Sequence, residues 1–129
     1  MPVLPLKLEQ HQYSYKEVIL KAVENAKKAR DSIDRECYIA FDIGPIGKLM
    51  EPMGTLSFDD VYQSVQQMIE LVKDDVDVIL LETMTDIYEI KASVLAIKET
   101  CDLPIFVTMT FEANHRSLSG CDPLTMVNV

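Results

Sequence analysis

The chain has 129 residues and a formal net charge of −9, and it is 48% hydrophobic and 26% charged. This composition is typical of a globular domain and excludes a disordered chain. Because nucleic acids and anionic membranes both bind basic surfaces, the charge argues against either as a partner. No apolar run approaches the roughly 18 residues that a membrane span requires.

The three cysteines are odd in number and widely spaced: Cys37, Cys101 and Cys121. No Cys-x-x-Cys pair or Cys/His cluster is present, so neither a disulfide framework nor a local metal site is expected. The first residues lack a charged leader followed by an apolar core, which argues against a secretory signal. We therefore expect a reduced, cytoplasmic protein.

Helices are predicted from capping patterns and apolar periodicity. After an irregular lead-in over residues 1–13, Ser14 and Glu17 form a capping-box pattern before a helix over 15–32. Its buried face is predicted to consist of residues at helical spacing: Val18, Ala22, Ala26 and Ala29.

Two further helices and a partial one follow. Residues 57–60 open a helix that ends near Asp74 and buries Val61, Val65, Met68, Ile69 and Val72. Asp86 and Glu89 are predicted to cap the next helix, which buries Ile87, Ile90, Val94 and Ile97. Residues 120–123 form a turn into a last helix, with Asp122 as its cap. The isolated histidines, His11 and His115, are interpreted as solvated.

Strands are predicted at 37–43, 76–84 and 104–111. The middle strand organises the chain, since its apolar run at 78–81 is typical of a strand buried on both faces of a parallel sheet. It ends in Glu82, at the carboxyl end where parallel α/β folds bind ligands. From the pattern alone, a ligand-binding carboxylate and a solvated acid are equally favoured.

The order of one helix and three strand–helix units predicts parallel strands with right-handed crossovers. Nothing resembles a domain linker, so residues 1–129 are interpreted as one domain. Three parallel strands leave both sheet edges open, whereas a closed barrel needs eight strands and about 250 residues. The expected fold is α/β, a partial (βα)8 TIM barrel with about three parallel strands and flanking helices, and we expect the chain to be a fragment.

The loop over residues 44–54 contains three of the four glycines. It lacks the spacing of either phosphate-binding motif, so turn glycines are favoured over a phosphate cradle.

Four blocks in the same order carry a resemblance to a known family: residues 43–54, 80–86, 104–111 and 118–123. They resemble homocysteine S-methyltransferases, and most closely the N-terminal homocysteine-binding module of cobalamin-dependent methionine synthase. The resemblance implies a (βα)8 barrel of which this chain covers roughly the third to fifth βα units. It also implies methyl transfer to the thiol of homocysteine, giving methionine.

The resemblance implies a substrate-binding role for a few residues. Glu82 matches the strand-end glutamate that binds the amino group of homocysteine, and Gly44, Pro45 and Gly47 match the loop at the active-site mouth. Asp42 departs from the small residue more usual before that loop; it either disturbs the pocket or faces away from it.

The resemblance also implies cofactors that this chain does not provide. The family activates homocysteine with a zinc ion held by three cysteines, from a Gly-x-Asn-Cys strand end and a Gly-Gly-Cys-Cys-Gly segment, and neither motif occurs here. Cobalamin and folate would be bound by other modules of the parent enzyme. We therefore expect no catalytic residue and no metal ligand in this chain, and no turnover by the chain alone.

Two alternatives stay open. The chain is either part of a methyltransferase domain or a non-catalytic half-barrel that self-associates through its open sheet edges. An unrelated, doubly wound α/β enzyme is less favoured, because no phosphate-binding fingerprint follows any strand.

Overall fold

The computed structural model describes residues 14–129. The predicted lead-in over 1–13, which includes His11, lies outside the described residues. The elements are α1 (Tyr15–Asp31), β1 (Ala40–Ile43), α2 (Phe58–Val72), β2 (Val78–Met84), α3 (Ile87–Thr100), β3 (Ile105–Met109) and α4 (Pro123–Asn128). Each strand is shorter than predicted, but the order of one helix followed by three strand–helix units is confirmed.

The three strands form one parallel sheet in the order β1-β2-β3, with β2 in the centre. Ile43 of β1 pairs with Leu81 of β2, and Ile79 of β2 pairs with Ile105 of β3. Parallel neighbours need long crossover connections, which α2 and α3 supply. The predicted α/β fold is thus confirmed, and the open sheet with flanking helices is consistent with a partial barrel.

The two faces of the sheet differ sharply in burial. Ile43, Ile79 and Leu81 are 0% exposed, so the helices cover the face on which these side chains lie. The opposite face, here called the open face, consists of Ala40, Asp42, Val78, Leu80, Phe106 and Thr108. The prediction that β2 is buried on both faces is wrong, because Val78 and Leu80 are only half-buried.

Helix α2 follows its sequence pattern closely. The Ser57 hydroxyl accepts a hydrogen bond from Asp60 N (3.1 Å), and the Asp60 carboxylate accepts one from Ser57 N (3.3 Å). This reciprocal capping satisfies two backbone amides that the first turn leaves without partners. The predicted apolar face is buried in full: Val61, Val65, Met68, Ile69 and Val72.

Helix α1 buries a different face from the one predicted. Ile19 and Val23 are buried, whereas Val18, Ala22 and Ala29 are exposed and Ala26 is partly packed. Neighbouring residues of a helix lie 100° apart, so two apolar stripes one residue apart look alike in the sequence. The stripe with the larger branched side chains is the one that joins the core.

None of the helices within residues 14–129 combines the length and the apolar content that crossing a bilayer would need.

The loop between β1 and α2 turns back tightly on itself at Gly54. Gly54 N donates a hydrogen bond to Met50 O (2.9 Å). A Cβ atom at position 54 would lie 2.1 Å from the backbone oxygen of Leu49, far inside any real contact. Only a residue without a side chain fits this approach.

We predict that Gly54→Ala lowers the free energy of unfolding by about 1–3 kcal/mol, because the backbone of residue 49 would have to move. Urea denaturation monitored by circular dichroism measures the change. Gly44→Ala is the matched control, since a Cβ at that position would lie an ordinary 4.0 Å from its nearest neighbour, the backbone oxygen of Glu82. Equal stability of the two variants would contradict the conclusion that only glycine fits at position 54.

Candidate functional site

The carboxyl ends of β1 and β2 lie side by side. The last pair of the β1–β2 ladder joins Ile43 and Leu81, so Gly44 and Glu82 are the next residues along the two strands. A Cβ atom placed on Gly44 would lie 4.0 Å from the backbone oxygen of Glu82. The loop over residues 44–54, here called the glycine loop, and Glu82 at the end of β2 were identified separately in the sequence. In the structure they lie side by side at one edge of the sheet.

The Glu82 side chain is exposed at this edge. Among residues 14–129 its carboxylate forms no ion pair and accepts no hydrogen bond. A carboxylate in that position can accept hydrogen bonds from a cationic ligand without first breaking an internal ion pair.

A β-bulge follows Glu82. Leu81 pairs with Val107 and Met84 pairs with Met109, so two residues of β2, Glu82 and Thr83, lie opposite the single residue Thr108 of β3. A bulge leaves the extra residue outside the regular ladder. Here Thr83 N donates to Thr108 Oγ1 (2.9 Å), so a side-chain oxygen replaces the missing ladder partner.

Thr83 has a left-handed backbone, with φ of 57°. A β-branched residue rarely adopts this conformation, and such strain costs on the order of 1–3 kcal/mol. The bulge shifts the alternation by one residue, so Met84 returns to the core at 1% exposed while Glu82 and Thr83 both stay at the surface. Sequence reasoning missed this feature, because an unbroken apolar strand gives no signal of an extra residue.

The glycine loop is held by a buried acid on α3. Ile46 is 2% exposed, and its backbone N–H donates to Glu89 Oε1 (2.6 Å). Glu89 itself is 2% exposed. Within this loop Pro45 is half-buried, while Gly47 is exposed with φ of 77°.

This position of Glu89 corrects the predicted cap of α3. The side chain of Asp86 accepts a hydrogen bond from Tyr88 N (2.7 Å) and caps the helix. Glu89 faces inward, in a buried group of small and apolar residues: Ile90, Ala92, Ser93, Ala96 and Ile97. The small residues Ser93 and Ala96, which follow Glu89 at helical spacing, are the signal that could have identified its stripe as buried.

Burial raises the pKa of Glu89 above the usual glutamate range, the hydrogen bond from Ile46 N–H opposes the shift, and the nearby charge of Asp86 adds to it. Burying a carboxylate is costly unless it is hydrogen-bonded. The bond to Ile46 therefore ties the conformation of the glycine loop to the position of α3.

Asp42 lies on the open face, where its backbone is paired with that of Leu80, and its side chain is exposed. It is thus on the side of the sheet that the helices leave uncovered.

The loop after β3 packs against the end of β2. Ser119 Oγ donates to Thr85 O (3.4 Å), and Arg116 Nη1 donates to Gly120 O within the loop (2.8 Å). His115 is exposed, as the sequence predicted.

The cysteines do not converge. Cys37 precedes β1 and Cys101 precedes β3, so both lie towards the amino ends of the strands, whereas Cys121 is buried beyond the carboxyl end of β3. Across residues 14–129, no three His, Cys, Asp or Glu side chains are grouped so that they could hold a metal ion. The described residues do not fit a zinc ion, and we assign them no step that uses one.

We predict that the unfolding free energy of the wild type, relative to Glu89→Gln, falls as the pH rises. The folded state holds the Glu89 proton more tightly than the unfolded chain, so stability decreases from about pH 4.3, the unperturbed glutamate pKa, up to the raised pKa. Glutamine does not titrate but keeps a carbonyl oxygen that can accept from Ile46 N–H.

Urea denaturation of both proteins between pH 4 and pH 8 measures this difference. Glu82→Gln, at an exposed position, controls for the loss of one negative charge. If the wild type instead became more stable relative to Glu89→Gln as the pH rose, the raised pKa of Glu89 would be refuted.

Two comparisons with known proteins bear on this site. A protein-family model described as homocysteine S-methyltransferase matches residues 4–129. A comparison with individually curated proteins gave no match. The family match covers all four sequence blocks, as well as Glu82 and the glycine loop. The chain belongs to the homocysteine S-methyltransferase family.

Proposed function

We propose that these residues form the homocysteine-binding part of a homocysteine S-methyltransferase domain. The observation that carries the proposal is the meeting of an exposed carboxylate, Glu82, with the glycine loop at the carboxyl edge of a parallel sheet. This edge is where enzymes with parallel barrels bind their substrates.

The chemistry of homocysteine suits this edge. Its α-ammonium group is a compact cation, and a hydrogen bond between an ammonium and a carboxylate such as that of Glu82 is about twice as strong as a neutral one. Gly44 has no side chain to fill the space beside Glu82, so a ligand can approach the backbone there. Glu82 then fixes the amino-acid end of the substrate and leaves its thiol free to point away.

In this proposal the chain binds and orients homocysteine, and methyl transfer to the homocysteine sulfur gives methionine. The zinc, cobalamin and folate that the family resemblance implies are assigned to residues or modules outside 14–129, so residues 1–129 alone are expected to show no turnover. We also propose a cytoplasmic setting, in which the three free thiols stay reduced.

We predict that Glu82→Gln raises the Kd for homocysteine roughly ten- to hundredfold in the full-length protein, because hydrogen bonds to charged groups contribute about 1.5–3 kcal/mol. Glutamine keeps the shape of the side chain and removes its charge. Isothermal titration calorimetry measures the affinity.

Asp102→Asn is the control for this substitution. It removes one negative charge from an exposed position just before β3, at the opposite end of the sheet, and should leave the Kd unchanged. If Glu82→Gln bound homocysteine with unchanged affinity, Glu82 would not be a homocysteine-binding residue.

A second function, self-association without catalysis, is favoured by one observation. Phe106 is 63% exposed on the open face, and both outer strands, β1 and β3, have an unpaired edge within the described residues. Exposed sheet edges and apolar faces are sites of association between chains. In this function the open faces of two copies would pack together.

For this second function, we predict that the 129-residue chain is an oligomer and that Phe106→Asp converts it to a monomer, because a charge at the centre of the interface would be buried. Sedimentation velocity measures the mass. Leu118→Asp is the control, since Leu118 is equally exposed, at 66%, but lies in the loop after β3. A monodisperse, folded monomer of the unmodified chain would exclude this function.

A further inference from the structure

We propose that Thr108 is a positioning residue for Glu82: its hydroxyl supports the bulge that sets the direction of the Glu82 side chain at the carboxyl edge of the sheet. This inference rests on the proposed function, because it concerns the carboxylate that we propose to bind homocysteine. Thr108 carries no charge and in the sequence is an ordinary strand residue, so its role follows only from its contact with Thr83.

The first argument is the hydrogen bond itself. The extra residue of a bulge has no partner in the ladder, and the amide of Thr83 is in this position. Thr108 Oγ1 accepts from that amide at 2.9 Å, which is an ordinary bond length for an N–H donor. The regular ladder resumes immediately afterwards, where Thr110 N donates to Met84 O (2.9 Å).

The second argument is the backbone strain. The left-handed φ of Thr83 persists only if its surroundings favour it by more than the strain costs. Burial of Met84 on one side and the hydroxyl of Thr108 on the other are the interactions that the structure places around this residue. Without the acceptor, the bulge loses the hydrogen bond that satisfies the Thr83 amide.

The third argument is what the bulge does to the side chains. In a regular strand, faces alternate, so Thr83 would follow Leu81 onto the helix-covered face and Met84 would lie on the open face. The extra residue restores Met84 to the core and leaves Glu82 and Thr83 adjacent at the surface. Glu82 would lie on the open face in a regular strand as well, but a bulge bends the strand and re-aims the side chains beside it. The direction of the Glu82 carboxylate at the edge therefore depends on the bulge, which the Thr108 hydroxyl supports.

Two substitutions separate the hydroxyl from the shape of the side chain. Thr108→Val keeps the shape and removes the acceptor, whereas Thr108→Ser keeps the acceptor and removes a methyl group. Homocysteine Kd by calorimetry and hydrogen exchange of the Thr83 amide by NMR are measured in the full-length protein. The exchange rate of the Thr83 amide reports this hydrogen bond directly. General destabilisation would instead accelerate exchange at amides throughout the sheet.

We expect Thr108→Val to raise the homocysteine Kd roughly five- to tenfold, as expected for the loss of one hydrogen bond, and to accelerate exchange at Thr83 at least as much. Thr108→Ser should retain both wild-type values. Thr110→Val is the matched control, because its hydroxyl lies 3.4 Å from a carbonyl, Met84 O, that its own backbone N–H already satisfies.

The outcomes are distinguishable from a failure of the proposed function. If the wild type binds homocysteine and Thr108→Val binds it equally well, the positioning role is overturned and the proposed function stands. If Thr108→Ser is as impaired as Thr108→Val, the hydroxyl is not the cause and the inference is likewise overturned. If the wild type itself does not bind homocysteine, the proposed function fails, and the positioning role fails with it.

Discussion

The backbone hydrogen bonds that join β1, β2 and β3 in parallel are the constraint on which the candidate site depends. They bring three carboxyl ends to one edge, so residues distant in the chain, Gly44 and Glu82, become neighbours. Helices cover only one face of this sheet, and the fully buried Ile79 and Leu81 on that face fix the register. A slip by one residue would move those side chains to the open face, which makes the position of Glu82 a consequence of core packing.

Two polar contacts fix the backbone on either side of the edge that the sheet forms. Glu89 accepts from the amide of Ile46 and holds the glycine loop, and Thr108 accepts from the amide of Thr83 and holds the bulge. Each contact satisfies a backbone N–H that takes no part in the sheet ladder, and each lies within a few residues of the candidate site. The cost of a buried carboxylate and of a left-handed threonine is thus concentrated where the chain is proposed to bind its substrate.

The sequence predicted the features that depend on local periodicity. The start and apolar face of α2 were predicted correctly, because each is encoded within a short stretch. The parallel strands and the family were predicted correctly from the order of several such stretches along the chain. The buried stripe of α1 and the inward direction of Glu89 were predicted wrongly, because long-range packing decides them. The bulge at Thr83 involves a hydrogen bond to Thr108, 25 residues away, and no local sequence pattern predicts it.

The measurement that tests the central claim most directly is an NMR titration of the isotopically labelled protein with homocysteine. Our account predicts saturable amide shifts concentrated at the carboxyl edge, in residues 42–47, 82–84 and 108–110. Absence of saturable shifts, or shifts confined to the amino ends of the strands at residues 36–39 and 101–104, would contradict it.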